Sequence, residues 1–250
     1  MSEPTISVDR LVKVYKTETA VDGISFTLAR GSITALLGAN GAGKTTTIAT
    51  IMGLLTPTSG KVTVLGAEMP WQRHRVLHRM NFESPYVDMP MRLTIRQNLT
   101  VFGMLYGVVN LPERIAKLAE ELELTELLDR PTGKLSSGQK TRVSLAKSLI
   151  NEPEVLLLDE PTASLDSESE RLVQDAIAHL CQGRTTIVIA HRLHTITHAD
   201  RILVVENGTI TESGRHEELL RKNGRYADFY RLQFKPQEQG DLGVALAPSK

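Results

Sequence analysis

The chain of 250 residues has a single cysteine, few aromatic residues and no net charge. One cysteine cannot form an intramolecular disulfide, so the fold does not rest on a disulfide framework and suits a reducing compartment. The 29 Lys and Arg residues balance 29 Asp and Glu residues, so there is no global basic field to hold nucleic acid or anionic lipid. We therefore do not expect nucleic acid to be a partner.

Long hydrophobic runs are missing as well. No segment approaches the roughly 18 consecutive apolar residues of a membrane-spanning helix, and the first ten residues lack the basic start and apolar stretch of a secretory signal. With 41% hydrophobic residues, the chain can still bury a substantial core. We expect a globular protein in the cytoplasm, whose work at a membrane depends on another chain.

A glycine-rich segment, GANGAGKT at residues 38–45, directly follows the apolar run of residues 33–37. A strand that ends in such a turn and opens into a helix predicts a phosphate-binding loop, where backbone N–H groups and the helix N-terminus attract an anion. Lys44 is a compact cation suited to the β- and γ-phosphates, and Thr45 is a candidate Mg²⁺ ligand. The predicted nucleotide-binding residues here are Gly38, Ala39, Asn40, Gly41, Ala42, Gly43, Lys44, Thr45 and Thr46.

A pair of acidic residues follows the apolar run of residues 155–158, which is typical of a parallel strand covered on both faces. Asp159 ends this run at the edge of the predicted sheet, where its carboxylate is a candidate Mg²⁺ ligand. Glu160 comes next and faces another direction, which makes it a candidate general base for an attacking water. The two residues predict the second half of a nucleotide site.

Alternating strand and helix patterns predict an α/β fold with a mostly parallel sheet and helices on both faces. The sequence LSSGQ at residues 135–139 starts a helix whose N-cap is either Ser136 or Ser137. The predicted strands are 6–14, 24–28, 33–37, 61–65, 155–158, 186–190 and 202–205. The predicted helical segments are 45–55, 71–80, 94–128, 140–150, 167–180 and 217–233.

Together, these motifs resemble those of the ATP-binding-cassette family, the ATPase subunits of ABC transporters. GANGAGKT is similar to the Walker A motif, LSSGQ to the family signature and VLLLDE, at residues 155–160, to Walker B. ASLD at residues 163–166 is similar to the D-loop, and His191 to the switch histidine. The five motifs stand in the family's order, and the resemblance covers residues 6–233.

The resemblance implies a phosphate-loop core with a mostly parallel sheet, an N-terminal antiparallel β subdomain and an all-helical insertion. It implies an ATPase domain over residues 1–235, made of a catalytic core (1–80 and 151–235) and a helical subdomain (81–150). Residues 236–250 are rich in polar residues, Gly and Pro with little to bury, so we expect a disordered tail.

The resemblance also implies ATP and Mg²⁺ as cofactors. It further implies a head-to-tail homodimer that holds two ATP molecules between its subunits. Ser137 and Gly138 of one copy would contact the γ-phosphate held by Lys44 of the other copy. Closing the dimer in this way excludes water and adds hydrogen-bond donors where transition-state charge collects.

Four further residues take their roles from the same resemblance. Glu160 would be the general base, and His191 would contact the γ-phosphate. Asp166 would link the two nucleotide sites, and the ring of Tyr15 would stack on adenine.

The sequence departs from the family pattern at the segment that joins the first sheet-rich lobe to the helical insertion. The family usually has a glutamine there, which reaches Mg²⁺ and couples the site to the membrane subunit. Residues 80–90, MNFESPYVDMP, contain none. Glu83 is the best substitute and so a third candidate Mg²⁺ ligand, with Ser84 and Pro85 as the alternative alignments.

The implied function is the ATP-hydrolysing subunit of an ABC transporter, peripheral on the inner face of the cell membrane, which drives separately encoded permease subunits. Residues 191–233 look like the corresponding part of fused exporters, which favours export. The apolar residues 99–111 are a candidate contact for the permease. One alternative is a soluble ABC ATPase that acts on nucleic acid or the ribosome. Another is a regulatory module that holds ATP without turnover.

Overall fold

The computed structural model describes residues 3–84, 89–159, 173, 177, 181–189 and 196–234. Within these residues the chain forms ten β-strands and six α-helices. The strands are β1 (Ile6–Tyr15), β2 (Glu18–Leu28), β3 (Ile33–Leu37), β4 (Ser59–Val64), β5 (Ala67–Met69), β6 (Met80–Glu83), β7 (Val155–Asp159), β8 (Thr185–Ile189), β9 (Arg201–Glu206) and β10 (Thr209–Gly214). The helices are α1 (Lys44–Ile51), α2 (Ile95–Leu105), α3 (Leu111–Glu121), α4 (Ser137–Leu149), α5 (His216–Lys222) and α6 (Arg225–Phe234).

The strands form two sheets. The first is antiparallel, with the order β2-β1-β4-β5. The second has the order β10-β9-β3-β8-β7-β6 and is parallel except for the β9–β10 hairpin. The predicted α/β class, with a mostly parallel core sheet and an N-terminal antiparallel sheet, is confirmed. The predicted domain boundaries stay predictions.

The mostly parallel sheet is the middle layer of the molecule. Because side chains alternate along a strand, β7 contributes Leu156 and Leu158 to one hydrophobic cluster and Val155 and Leu157 to another. The first cluster contains the buried faces of α2, α3, α4, α5 and α6. The second contains α1 and the antiparallel sheet. Burial on both faces explains the continuous apolar runs of residues 155–158 in β7 and 187–189 in β8, which do not alternate with exposed polar residues.

Within the helical insertion, Arg114 near the start of α3 joins that helix to the end of α4. Arg114 donates hydrogen bonds from Nη2 to the carbonyl of Leu149 at 2.5 Å and from Nε to the carbonyl of Ile150 at 3.3 Å. Its Nη1 also lies 3.2 Å from a carboxylate oxygen of Glu152. The guanidinium therefore caps the last carbonyls of α4 and joins it to α3.

Several predicted elements differ from the observed ones. The stretch 71–80, which we expected to be helical, forms two short 3₁₀ turns at Arg73–Arg75 and Leu77–Arg79, and its last residue begins β6. The prediction was wrong because long-range contacts decide this segment. Nη1 of Arg73 donates to the carbonyl of Gly53, and β6 pairs with β7 from a distant part of the chain.

The predicted helix over residues 94–128 is divided into α2, α3 and a 3₁₀ turn at Thr125–Leu127. Gly107 and Asn110 take left-handed backbone conformations, with φ of 67° and 53°, and so end α2 and begin α3. The short strands β5, β6 and β10 were not predicted. Each depends on pairing with a neighbouring strand rather than on a strong pattern of its own.

Candidate nucleotide-binding site

The glycine-rich loop connects β3 to α1 and is shaped by close backbone contacts. A Cβ at Gly38 would lie 2.2 Å from the carbonyl oxygen of Val205, and one at Gly43 would lie 2.3 Å from that of Ala20. Gly43 also has a φ of 101°, which residues with a side chain rarely adopt. Only glycine therefore fits at these two positions, and the loop can curl tightly over β3.

The start of α1 is suited to an anion. Gly43 is its N-cap, and no described side chain accepts a hydrogen bond there or places an acidic group in the first turn. The first-turn N–H groups and the positive end of the helix dipole therefore point at the loop without a protein carboxylate beside them. This local structure is what the motif predicted for phosphate binding.

The side chain of Lys44 is buried over the loop. Its ammonium Nζ donates hydrogen bonds to the carbonyls of Gly38 at 2.8 Å and Ala39 at 3.0 Å. These contacts hold a positive charge at the centre of the loop, where the phosphate oxygens of a nucleotide would lie.

A cavity of about 560 Å³ opens beside the loop. It brings together nine of the residues predicted from the sequence and two from β2 that sequence reasoning missed, Glu18 and Ala20. They reach the cavity through the tight hairpin that pairs Tyr15 with Glu18, which the sequence analysis did not predict. The described residues that line the cavity are Tyr15, Glu18, Ala20, Asn40, Gly41, Ala42, Gly43, Lys44, Thr45, Thr46 and Asp159.

Tyr15 ends β1 at the rim of this cavity, with 43% of its surface exposed. The Nζ atom of Lys13 lies 5.1 Å from the centre of its ring. A half-exposed ring that contacts a cation can also receive a planar base. Its predicted contact with adenine fits this position and stays a prediction.

The candidate Mg²⁺ ligands Thr45 and Asp159 line the same cavity. Thr45 is exposed in the first turn of α1, and Asp159 is the buried last residue of β7. Within the described residues, no group of three or more His, Cys, Asp or Glu side chains could hold a metal ion alone. One hydroxyl and one carboxylate beside a phosphate loop are nevertheless the donors that Mg²⁺ takes when phosphate oxygens and water complete its shell.

Glu83 is the third candidate Mg²⁺ ligand. It ends β6 opposite Leu158 of β7, is buried to 2% exposure, and is not among the described residues that line the cavity. Burial raises the pKa of its carboxyl to about 7, while Ser144 and Lys147 of α4 oppose that rise and Asp159 adds to it. The side chain therefore lies near α4 and also near Asp159, and its role as a metal ligand stays a prediction.

The LSSGQ segment starts α4. Ser136 is the N-cap: its hydroxyl accepts from the N–H of Gln139, and the Gln139 side chain accepts from the N–H of Ser136. Of the two predicted caps, Ser136 is thus the observed one. Ser137 is exposed and Gly138 is buried in the first turn, and neither is among the described residues that line the cavity.

The remaining predictions cannot be placed. Glu160, Asp166 and His191 lie outside the described residues, as do the alternative Pro85 and the predicted tail, residues 236–250.

The chain resembles known proteins along most of its length. A family model described as ABC transporter matches residues 21–163. The Nod factor export ATP-binding protein I of Ralstonia nicotianae is 34% identical over 223 residues, which are 88% of this chain and 70% of that protein. An ATP-dependent lipid A-core flippase of Ralstonia nicotianae is 39% identical over 236 residues, which are 87% of this chain but only 38% of the flippase.

A solved structure shares the fold. A bacterial Atm1-family ABC exporter with ATP bound aligns over 95% of this chain and 43% of its own, with a TM-score of 0.83 and 29% sequence identity. The family resemblance carried by the five motifs is confirmed, and with it the predicted ATPase activity and ATP as a ligand. The family model covers more than half of the residues, so the chain belongs to the ABC transporter family as one of its ATP-binding, ATP-hydrolysing domains.

Proposed function

We propose that this ATPase acts as a head-to-tail homodimer and drives export through separately encoded membrane subunits. One observation supports the proposed dimer. The described residues that line the cavity include the phosphate loop and Asp159 but no residue of the signature segment, 135–139. A single copy then leaves the terminal phosphate open to water on one side. A second copy would close that side.

The start of α4, which is exposed at Ser137, is the group that a second copy would supply. Ser137 and Gly138 form its first turn, where free N–H groups and the helix dipole favour an anion. Placed over the γ-phosphate held by Lys44 of the partner copy, they would add donors where transition-state charge collects. ATP would thus be part of the dimer interface as well as the fuel.

Mg²⁺ fits the cavity, and we assign its protein ligands to Thr45 and Asp159. The ion would neutralise charge on the phosphates when bound. Tyr15 would orient the base, which is its predicted part in binding.

The residues that we assign to ATP hydrolysis itself lie outside the described part of the structure and are identified by sequence. Glu160 follows Asp159 at the end of β7 and would take the proton of the attacking water. His191 would contact the γ-phosphate, and Asp166 would link the two sites across the dimer.

A face of the helical insertion is suited to a membrane partner. Four large apolar side chains of α2 and the turn after it are exposed, including Leu105 at 75% and Val109 at 82%; the others are Val101 and Met104. A cleft of about 490 Å³ lies beside them, between this turn, α3 and the segment that follows α4. Exposed apolar patches mark interaction surfaces, so we assign this docking face to a membrane subunit.

Within the described residues, no helix has both the length and the apolar character needed to cross a bilayer. The names of the relatives, a Nod factor exporter subunit and a lipid A-core flippase, favour export, and we place the chain on the inner face of the cell membrane. This chain spans 70% of the first relative and 38% of the second, so cargo and partner remain proposals.

Glu160→Gln tests the dimer and the general base together. We expect ATP hydrolysis to fall at least about 100-fold, because the attacking water loses its base, and ATP to hold the chain as a dimer in sedimentation velocity. Glu120→Gln, an exposed change on α3, is the matched control and should leave both unchanged. Retained hydrolysis, or a monomer with ATP bound, would refute the assignment.

Recovery from membranes tests the docking face. The tagged chain should co-purify with a multi-spanning protein, and Val101→Asp together with Leu105→Asp should abolish that recovery. Leu232→Asp, an equally exposed apolar residue on α6, should not. Co-purification with ribosomes or DNA instead would favour the soluble, non-transport alternative, which the names of the relatives do not support.

A further inference from the structure

Two arginines of the helical insertion each cap the helix on which the other lies. Arg114, near the start of α3, donates hydrogen bonds to the carbonyls that end α4. Arg142, in the first half of α4, donates from Nη1 to the carbonyls of Leu122 at 3.0 Å and Glu123 at 3.2 Å, which lie at the end of α3. Because the first half of each helix lies beside the end of the other, α3 and α4 are antiparallel and are joined at two places.

Each arginine also pairs with an acidic residue just beyond the helix that it caps. Nη1 of Arg114 lies 3.2 Å from Oε1 of Glu152, and Nη1 of Arg142 lies 3.1 Å from Oε2 of Glu123. Glu152 and Glu123 both have left-handed backbone conformations, with φ of 49° and 53°. Residues with a side chain seldom adopt this conformation, which is common just past a helix end. The same arrangement of arginine, helix end and left-handed glutamate therefore occurs twice. We call Arg114 and Arg142 the arginine caps.

The guanidinium groups are far more buried than the carboxylates. The side chains of Arg114 and Arg142 are 10% and 14% exposed, whereas those of Glu152 and Glu123 are 68% and 67% exposed. Ion pairs with such exposed partners contribute little to stability. The last carbonyls of a helix, by contrast, have no partner in that helix, and a cation beside them also favours the negative end of the helix dipole. We therefore expect the arginine caps to stabilise the α3–α4 pair through the carbonyls.

We propose that the arginine caps are positioning residues, which set the place of α4 along α3 and so hold the signature segment in position for the ATP of the partner copy. Apolar burial between helices is non-directional, whereas a hydrogen bond requires a particular distance and angle. Ser137 starts α4 five residues before Arg142, about 7.5 Å along the helix axis. A shift of α4 would misplace the first-turn donors of Ser137 and Gly138 without altering the phosphate loop of the same chain. This role rests on the proposed function.

The two caps differ in the nitrogens that they use. Arg114 contacts three acceptors with three different nitrogens, Nε, Nη1 and Nη2. Within the described part of the chain, Arg142 contacts its acceptors with Nη1 alone. Lysine offers one nitrogen with three hydrogens, so it can replace a cap that uses one nitrogen but not a cap that uses three. Arg142→Lys should therefore be tolerated, and Arg114→Lys should not.

Thermal unfolding without nucleotide tests the caps themselves. Arg114→Met and Arg142→Met should each lower the Tm by about 3–8 °C, because the helix-end carbonyls lose their donor. Arg142→Lys should keep nearly the wild-type Tm, whereas Arg114→Lys should lose about as much as Arg114→Met. The control is Arg96→Met, which removes an exposed ion pair with Asp129 and should shift the Tm by less than about 2 °C. Equal losses for the two lysine variants, or no loss for the methionine variants, would overturn the capping geometry.

ATP-dependent dimerisation tests the positioning role. In the Glu160→Gln background, at a temperature well below the Tm, Arg142→Met should raise the dimer dissociation constant about tenfold or more in sedimentation velocity. The Kd for a fluorescent ATP analogue should not change, because the phosphate loop is untouched. Arg142→Lys should restore the dimer. Arg114→Lys, a milder change at the other cap, should raise the dissociation constant about threefold or more, which keeps the test decisive if Arg142→Met does not fold.

The outcomes separate this role from the proposed function. If Glu160→Gln alone stays monomeric with ATP, the homodimer itself is contradicted, and the Tm values still decide the capping geometry. If that parent dimerises and Arg142→Met and Arg114→Lys dimerise equally well, the positioning role is overturned and the homodimer stands. A weaker dimer with an unchanged Kd for the ATP analogue, together with recovery in Arg142→Lys, is the result that supports the role.

Discussion

The phosphate loop and the junction between β6 and α4 are built in opposite ways. The loop uses consecutive residues, and its anion-binding groups are backbone N–H groups and one lysine. The junction uses side chains from three elements, with Glu83 and Lys147 separated by 64 positions in the chain. The loop needs its backbone conformation, whereas the junction needs the correct approach of whole elements. Mutations should therefore affect nucleotide binding at the loop and the free energy of unfolding at the junction.

The largest effect is expected for Lys44→Ala. The ammonium sits at the centre of the loop, so its loss removes the charge that meets the β- and γ-phosphates. ATPase activity should fall about 100-fold or more, together with ATP affinity measured by a fluorescent analogue. Lys61→Ala, an exposed lysine paired with Glu68, should change neither. If Lys44→Ala lost turnover but kept full ATP affinity, the loop would not differ from the junction in affecting nucleotide binding.

Gly43→Ala should follow, with a loss of about 3 kcal/mol in the free energy of unfolding. The new Cβ would lie 2.3 Å from the carbonyl oxygen of Ala20, and the φ of 101° would be strained. Gly66→Ala is the matched control, since its φ is 78° but nothing lies within 4 Å, so it should cost only about 1 kcal/mol. Urea unfolding measures both. Equal losses would mean that the close contact does not shape the loop.

The next prediction concerns Glu83, at the junction between β6 and α4, and the pH dependence of the free energy of unfolding. Burial raises the pKa of Glu83 from its usual 4.5 to about 7, so the folded state binds more protons than the unfolded state between these values. The stability that Glu83 contributes is therefore complete below pH 4.5 and is lost as the pH rises through 7. Lys147 and Ser144 on α4 and Asp159 on β7 are the groups that face it.

Glu83→Gln should remove this fall in stability. By pH 8 the variant should be more stable than the wild type by about 3 kcal/mol in urea unfolding with EDTA and no nucleotide. Glu120→Gln on the exposed face of α3 provides the reference curve. If the unfolding free energies of the wild type and Glu83→Gln varied with pH in the same way, burial would not raise the pKa of Glu83.

The smallest effect is expected at the rim of the cavity. Tyr15→Ala should weaken ATP binding about tenfold, because stacking on a base contributes roughly 1–3 kcal/mol. Tyr15→Phe keeps the ring and should bind ATP normally. Equilibrium titration with a fluorescent ATP analogue measures both variants. Equal affinities for the alanine and phenylalanine variants would show that the Tyr15 ring does not stack on the base.

The sequence alone predicted the α/β class, the phosphate loop and the family. These depend on short-range patterns: a loop of eight residues encodes its own backbone shape, and a strand buried on both faces is apolar throughout. Lys44 and Thr45 were predicted for the same reason, since they belong to the loop motif, and Asp159 because it ends its own strand. The sequence could not show that Glu18 joins them, because it reaches the cavity through the register of a hairpin.

What only the tertiary structure decided is the surroundings of Glu83. In the sequence it stood where the family places a glutamine, and a role at the metal was the natural prediction. The fold buries its carboxyl near Ser144 and Lys147 of α4 and near Asp159 of β7, and the sequence predicted these elements without indicating that they are neighbours. Backbone shape is set by adjacent residues, whereas the partner of a buried charge is set by the packing of distant elements.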